Sequence, residues 1–287
     1  MDIPLVSVCM ITYNHEKYIA EAIHGVLMQK TDFKIEFIIA NDASTDETHT
    51  LIDQLAIDTN KITINYINHP ANIGMMSNFV FALEQCRGKY IALCEGDDYW
   101  TDPLKLQKQV GFLETNDDYS ICWTNYHILV DKQLVVPKWN EQYKNTNCFE
   151  VDFNNFGSPY CTYTLTAMFR RDGIKNIELI KYRFLKDNTI YSICLKDGKG
   201  KLLNFFGSVY RVHSSGIYSS ASLYNQAYSN YTNLSEILKI IPESRVPNMF
   251  NKKKIWKKEF FKQLNKSNKS NIEKLFIKYK LIVNSII

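Results

Sequence analysis

The chain has 287 residues, 45% of them apolar and 22% charged, a composition that excludes a disordered polymer and supports a buried core. Its formal charge of +4 hides an asymmetry: residues 251–287 hold eleven Lys against two Glu, a local +9, which leaves about −5 for residues 1–250. A basic tail on a mildly acidic body argues against a nucleic-acid enzyme, whose basic surface more often lies on the folded domain beside its site.

This length suits one large α/β domain with appended helices, or two small domains. Leu5–Thr12 is a short apolar run rich in β-branched residues, broken by Tyr13-Asn14-His15. Tyr18–Met28 has helical spacing, with Ile19, Ile23, Val26 and Leu27 on one face. Ile35–Ala40 reads as a second buried strand, Ile62–Ile67 as a third strand and Tyr90–Cys94 as a fourth, separated by helices over Asp46–Ile57 and Met75–Cys86. Repeated strand–helix–strand units predict a parallel sheet covered by helices on both faces. Ligands in such sheets sit beyond the carboxyl ends of the strands, which directs attention to Tyr13–Glu16, Asn41–Asp46 and Glu95–Asp98.

Pro103 begins a helical pattern through Asn116, and Tyr119–Val130 reads as a long strand. Asp131–Phe156 shows no clear period. Tyr160–Phe169 is β-rich, Asn188–Leu195 helical, and Leu202–Val212 a strand. After Ser222 the chain turns helical and rich in Lys and Asn, and no internal repeat is visible. The seven Cys form no CxxC pair and several sit in strand-like runs, so they read as buried free thiols. The start MDIPLVSVCMITYN lacks a basic leader region and no apolar run reaches membrane-spanning length, so a cytoplasmic protein is expected.

Two clusters carry chemistry. Glu95-Gly96-Asp97-Asp98 follows a buried strand; carboxylates packed together repel one another and are most readily kept ionised by a hard divalent cation. The alternative is an acidic turn before the next helix. In Asn41-Asp42-Ala43-Ser44-Thr45-Asp46-Glu47, Ser44 and Glu47 have the spacing of a capping box. That leaves Asp42 unexplained, a carboxylate at a strand end that could accept from a base N–H.

Ser7–Asn14, Asn41–Asp46, Asn72-Ile73-Gly74 and Glu95–Asp98, in this order and spacing, resemble glycosyltransferase family 2 over about the first 105 residues. Tyr210-Arg211-Val212-His213 with Gly216 resembles the family's late YRxH segment, extending the similarity to about Ser222. The resemblance implies the α/β GT-A fold, a Rossmann-like nucleotide-binding sheet flanked by helices, here with a C-terminal helical extension. Residues 1–222 would form the catalytic domain, with a nucleotide-sugar-binding half at 1–118 and an acceptor-side half at 119–222; residues 223–287 would be the basic extension. It implies Mn²⁺ or Mg²⁺, a UDP-, dTDP- or GDP-sugar donor, and inversion at the anomeric carbon.

Residue by residue, the resemblance implies that Thr12, Tyr13 and Asn14 wall the nucleoside with Glu16 nearby. Asp42 would bind the base edge, with Asn72 and Gly74 beside the nucleotide, the glycine permitting close backbone approach. Asp97 would contact ribose or metal, and Asp98 would be the principal cation ligand, where His213 could complete the shell or reach the diphosphate. Glu95 stands where the family more usually has an aspartate. Asp187 falls where the family places the base that activates the acceptor hydroxyl, ahead of a helix and about 25 residues before the YRxH segment; it could instead cap that helix. Asp172 and Asp197 are the alternatives, and Arg211 is either an ion-pair partner or a phosphate contact.

In the tail, Trp256, Phe260 and Leu264 follow one another at i+4 among lysines, and Ile272, Leu275, Phe276, Tyr279 and Ile286 form a second stripe. Basic amphipathic helices suit an anionic membrane surface, which gives a cytoplasmic enzyme a peripheral place beside a glycan or lipid-linked glycan acceptor. The other reading packs the stripes on the catalytic domain or a second subunit. A sugar nucleotidyltransferase would place a Gly-rich loop with Lys or Arg after the first strand, where this chain has Tyr13-Asn14-His15-Glu16. A non-catalytic nucleotide-sugar-binding scaffold recruiting partners through the tail is the remaining rival. No nucleic-acid partner is expected, and the oligomeric state is not indicated.

Overall fold

The computed structural model describes residues 3–137, 148–152, 163–174, 179–214, 216, 221–241 and 246–283. Four strands follow the apolar runs: β1 (Val6–Thr12), β2 (Ile35–Asn41), β3 (Ile62–Asn68) and β4 (Tyr90–Leu93). They pair in parallel in the order β3-β2-β1-β4, joined by α1 (Ile19–Leu27), α2 (Thr48–Leu55) and α3 (Met75–Gln85). Side chains alternate across a strand, so each strand feeds two cores. Val8, Met10, Phe37 and Ile39 meet Ile19 and Ile23 of α1 on one face. Cys9, Ile38 and Ala40 meet Val80 and Leu83 of α3 on the other. Burial on both faces is why β1, β2 and β4 are almost continuously apolar, whereas β3 at the sheet edge alternates with Thr63, Asn65 and Asn68 and is mostly part-exposed.

Beyond β4 the sheet becomes mixed. β5 (Tyr99–Trp100) and α4 (Lys105–Thr115) are followed by β6 (Tyr119–Val130) and β7 (Gln133–Val135). Asp131 and Lys132, at φ 49 and 64, make the two-residue turn of that hairpin, matching the right-handed strand twist. β8 (Cys148–Val151) and the short β9 (Met168–Arg170) come next, then α5 (Asp187–Asp197) and β10 (Lys199–Arg211). β9 inserts antiparallel between β4 and β6, and β10 lies parallel to β6. Of the β-rich stretch expected over Tyr160–Phe169, the described residues 163–169 are mostly not strand: Thr164–Thr166 is a 3₁₀ turn and the strand starts at Met168. Residues 160–162 lie outside the described residues.

Three helices close the described chain, α6 (Leu223–Ile240), α7 (Pro247–Lys266) and α8 (Asn271–Val283). Leu234 and Ile237 of α6 and Met249 of α7 share one core with Trp123 of β6 and Tyr191 of α5. The two apolar stripes of the tail have different fates. Phe260 and Leu264 are fully buried against Tyr224 and Tyr228 of α6, so the first stripe packs on the protein. Ile272, Leu275 and Phe276 of α8 are 82%, 72% and 64% exposed. The side chains of Tyr279 and Ile286 lie outside the described residues.

Candidate active site

The loops after β1 and β2 are laced together at the carboxyl edge of the sheet. The Asn14 amide donates to Ser44 Oγ (2.9 Å) and Asn14 Oδ1 accepts from the Thr45 amide (2.8 Å). The amides of His15 and Glu16 donate to Thr48 Oγ1 (2.8 Å) and Asp46 Oδ2 (3.1 Å), and Glu16 Oε2 accepts from the Glu47 amide (3.2 Å). The expected Ser44–Glu47 capping box does not form. Ser44 is taken by Asn14 and Asn41, and α2 starts at Thr48, whose amide donates to Asp46 Oδ1 (3.0 Å). A carboxylate two residues before Thr48 is the nearer acceptor for that N–H. Thr12 is 2% exposed, whereas Tyr13 at 39% presents its ring to solvent.

Asp42, 2% exposed, is held by the loop after β3: its two oxygens accept the amides of Ile73 (2.7 Å) and Gly74 (3.0 Å). Asn72 Nδ2 donates to the Asp42 carbonyl (3.1 Å) and Asn72 Oδ1 accepts from the Gly74 amide (3.1 Å). Asp42 is thus a brace of this wall, and a base N–H would have to share a carboxylate oxygen with a backbone amide. Gly74 has φ 88, the left-handed region that favours glycine, with open space around its missing side chain.

The acidic loop lies against this wall. Gly96 donates to the Ile11 carbonyl (3.0 Å), and a Cβ there would stand 2.6 Å from Thr12 Oγ1, so only glycine allows the approach. Carboxylate oxygens of Glu95, Asp97 and Asp98 come within 4.8 Å of one another. Asp98 is 1% exposed; its Oδ1 accepts from the Arg211 amide of β10 (2.8 Å), and its buried Oδ2 has no hydrogen-bond partner among the described residues. Burial and the charges of Asp97 and Glu95 push the Asp98 carboxyl well above the carboxylate range. Burial and the charges of Asp97 and Asp187 push Glu95 up to about 7, against the pull of the Thr164 hydroxyl, which donates at 2.6 Å. Burial also raises Asp97, but the His213 hydrogen bond (3.0 Å) and the nearby His15 outweigh it and hold Asp97 below its ordinary value. A three-carboxylate cluster with an unpartnered buried oxygen is a poor resting state without positive charge. All the donors are hard oxygens, and they fit Mn²⁺ or Mg²⁺.

The other expected site residues find definite places. His213 is the hydrogen-bond partner of Asp97, its ring 4.7 Å from that of Tyr18. The Arg211 guanidinium pairs with Glu21 and donates to the Asp97 carbonyl (2.7 Å), so it is an ion-pair partner that shapes the acidic loop. Asp187 is the first residue of α5, not its cap; Lys186 holds the cap position, and Asp187 Oδ1 accepts from the Asn188 amide (2.7 Å). Its charge is among the causes that raise the Glu95 carboxyl. Sequence reasoning missed Thr164, His15 and the Arg211 amide. Thr164 lies 69 residues from Glu95 and Arg211 113 from Asp98, and neither pairing leaves a local pattern.

Comparison with known proteins agrees with this geometry. The sequence pattern of Glycosyl transferase family 2 matches residues 7–177. A protein of Mycobacterium tuberculosis with no described activity is 44% identical over 125 residues, which is 44% of this chain and 36% of that protein. The chain thus matches little more than a third of that relative's length. The UDP-Glc:alpha-D-GlcNAc-diphosphoundecaprenol beta-1,3-glucosyltransferase WfaP of Escherichia coli is 30% identical over 220 residues, 74% of this chain and 79% of WfaP. In fold, the chain is similar to the mannosyltransferase PcManGT of Pyrobaculum calidifontis, solved with GDP-Man and Mn²⁺: TM-score 0.64, 13% identity, 98% of this chain and 81% of that one.

Proposed function

The chain belongs to glycosyl transferase family 2, and from that premise we propose that it moves a sugar, with inversion, from a nucleoside-diphosphate sugar to an acceptor hydroxyl. The observation that carries the proposal is the carboxylate cluster Glu95, Asp97 and Asp98 at the sheet's carboxyl edge, with Asp98 Oδ2 buried and unpartnered. These three residues would hold Mn²⁺ or Mg²⁺, which when bound supplies a Lewis acid for the charge that develops on the departing diphosphate. Asp97 is the more accessible carboxylate and is oriented by His213, whereas Asp98 offers only Oδ2. The braced wall of Thr12, Tyr13, Asn14, Glu16, Asp42, Asn72 and Gly74 would receive the nucleoside, with the Tyr13 ring exposed to stack on the base. Asp187 would take the proton of the acceptor hydroxyl as its oxygen attacks the anomeric carbon.

UDP is the first donor nucleotide to test, being the one in the name of WfaP, with dTDP and GDP as alternatives. The acceptor in this reading is a cell-surface or lipid-linked glycan. No helix among the described residues is long and apolar enough to cross a membrane. Ile272, Leu275 and Phe276 on α8, among the tail lysines, would instead lay the enzyme on an anionic bilayer. Phosphatidylglycerol vesicles should co-sediment with the full chain and not with a chain ending at Ser267; equal sedimentation would remove the tail from this role.

The test of the function is calorimetric binding of UDP, dTDP, GDP and CMP with and without Mn²⁺. One nucleotide should bind tightly, and the affinity should vanish without metal and in Asp98→Ala. Asp187→Asn should keep that binding and lose nearly all transfer. Full metal-dependent affinity in Asp98→Ala would remove Asp98 from the mechanism, and binding of no nucleotide would overturn the reading.

A further inference from the structure

The segment that carries Asp187 lies outside the stretch matched by the family pattern, as does all of α6. One side of α6 presents Ser229, Asn230, Asn233 and Glu236 to that segment, and each of the four is hydrogen-bonded to it. The Glu236 carboxylate accepts the amides of Arg183 (3.0 Å) and Phe184 (3.3 Å). Asn233, 1% exposed, donates to the Phe184 carbonyl (2.8 Å) and to the Thr189 hydroxyl (2.8 Å). Lys186 Nζ donates to Ser229 Oγ (3.0 Å) and Asn230 Oδ1 (2.7 Å). The chain is therefore held on both sides of Asp187, by its backbone three and four residues before it and by the Thr189 side chain two after.

Apolar contact alone would dock this helix, since Leu185 and Ile190 share a core with Leu234 and Ile237. A buried asparagine costs desolvation that a leucine would not, and its return is a single defined geometry rather than extra stability. The Arg183 amide lies on an exposed residue where water could serve it, so Glu236 is not needed to satisfy that group. What the four bonds of Asn233 and Glu236 add is a fixed path for the chain through residues 183–189, and hence a fixed aim for the side chain of Asp187.

We propose that Asn233 and Glu236 of α6 are positioning residues for Asp187, so that the first helix of the C-terminal region is part of the catalytic apparatus. The inference rests on the reading of Asp187 as the base. A carboxylate displaced by about 1 Å from the attacking hydroxyl loses roughly a hundredfold in rate without changing how the donor is bound. Asn233 and Glu236 should therefore act on kcat and leave the nucleotide wall and the cation cluster, built on other loops, untouched.

The test measures nucleoside diphosphate release, in the presence of Mn²⁺ and with water as the hydroxyl that receives the sugar, from whichever of UDP-glucose, dTDP-glucose and GDP-mannose the protein turns over. It is run on wild type, Asn233→Ala, Glu236→Ala, Glu236→Gln and Asp187→Asn, with calorimetric nucleotide binding alongside. Asn233→Ala and Glu236→Ala should lower kcat by roughly ten- to a hundredfold with donor KM and nucleotide affinity unchanged. Glu236→Gln keeps an acceptor oxygen and should restore kcat to within about threefold of wild type. In the Asp187→Asn background, Glu236→Ala should have no further effect, because nothing is left to aim. The proposal is overturned if Asp187→Asn abolishes turnover while Glu236→Ala and Asn233→Ala leave kcat at the wild-type level, if nucleotide affinity falls in step with kcat, or if Glu236→Ala keeps its full effect without Asp187. Full turnover in Asp187→Asn would instead sink the base assignment beneath it, a separate result read from a separate variant.

Discussion

Replacing Glu95 by Gln should make the metal-free protein more stable and the metal-loaded protein less so. Glu95 is pushed from an ordinary 4.5 up to about 7 by burial and then by the charges of Asp97 and Asp187. The folded protein thus holds this proton more tightly than the unfolded chain. The contribution of the group is fully present below pH 4.5 and is lost as pH rises through about 7, above which an ionised carboxylate opposes the metal-free fold. Each tenfold change in proton affinity is worth about 1.4 kcal/mol, so the ceiling is about 3 kcal/mol. Partial solvent access to the side chain and a compact unfolded chain bring the expected gain to about 1–2 kcal/mol. Gln keeps an oxygen for the Thr164 hydroxyl and removes the charge. Thermal melts in EDTA at pH 8 should then show Glu95→Gln above wild type by about 2–6 °C, with less than about half that gain at pH 5.5. Added Mn²⁺ at pH 8 should raise wild type more than the variant, because the repulsion relieved by mutation is the one the cation relieves. Equal melting points in EDTA at pH 8, or the same gain at both pH values, would refute this account of the cluster.

Three further outcomes are expected. Gly96→Ala, whose Cβ would meet Thr12 Oγ1 at 2.6 Å, should cost about 1–3 kcal/mol in urea titration and weaken Mn²⁺-dependent nucleotide binding as the acidic loop moves away. Phe260→Ala empties a fully buried position among Tyr224, Tyr228 and Tyr231 and should cost about 3–5 kcal/mol by the same measurement; a loss under 1 kcal/mol would mean α7 is not docked on α6. Lys105 is fully buried and burial lowers it to about 7, so the fold binds its proton less tightly than the unfolded chain does. Wild-type stability should therefore rise between about pH 7 and pH 10 through this group, and Lys105→Met should flatten that rise. Parallel pH slopes in the two proteins would show that Lys105 is not neutralised by the fold.

The amino-acid sequence alone carries the α/β character, the positions of the first four strands as a series of apolar runs, and the loops where chemistry collects. These are local properties: a strand buried on both faces must be apolar throughout, and glycine and clustered carboxylates at its end mark a turn under a special demand. Tyr119–Val130 and Met75–Gln85 are legible for that reason. The role of Ser44 was not, because the capping spacing to Glu47 is a local pattern, whereas its bond to Asn14 exists only once the β1 loop docks. The two apolar stripes of the tail look alike in sequence, and only packing separates the buried Phe260 and Leu264 from the exposed Leu275 and Phe276.

The tertiary structure decided everything that depends on residues far apart in the chain. It brought Thr164 to Glu95, the Arg211 amide to Asp98, His213 to Asp97, and Glu236 to the segment ahead of Asp187. Such contacts leave no periodicity, since a single hydroxyl, amide or carboxylate has the same composition wherever it lands. Which carboxylate faces solvent and which lies beneath it is set by the insertion of β9 beside β4 and by the edge of β10, and a pairing across that much chain exists only once the sheet has closed.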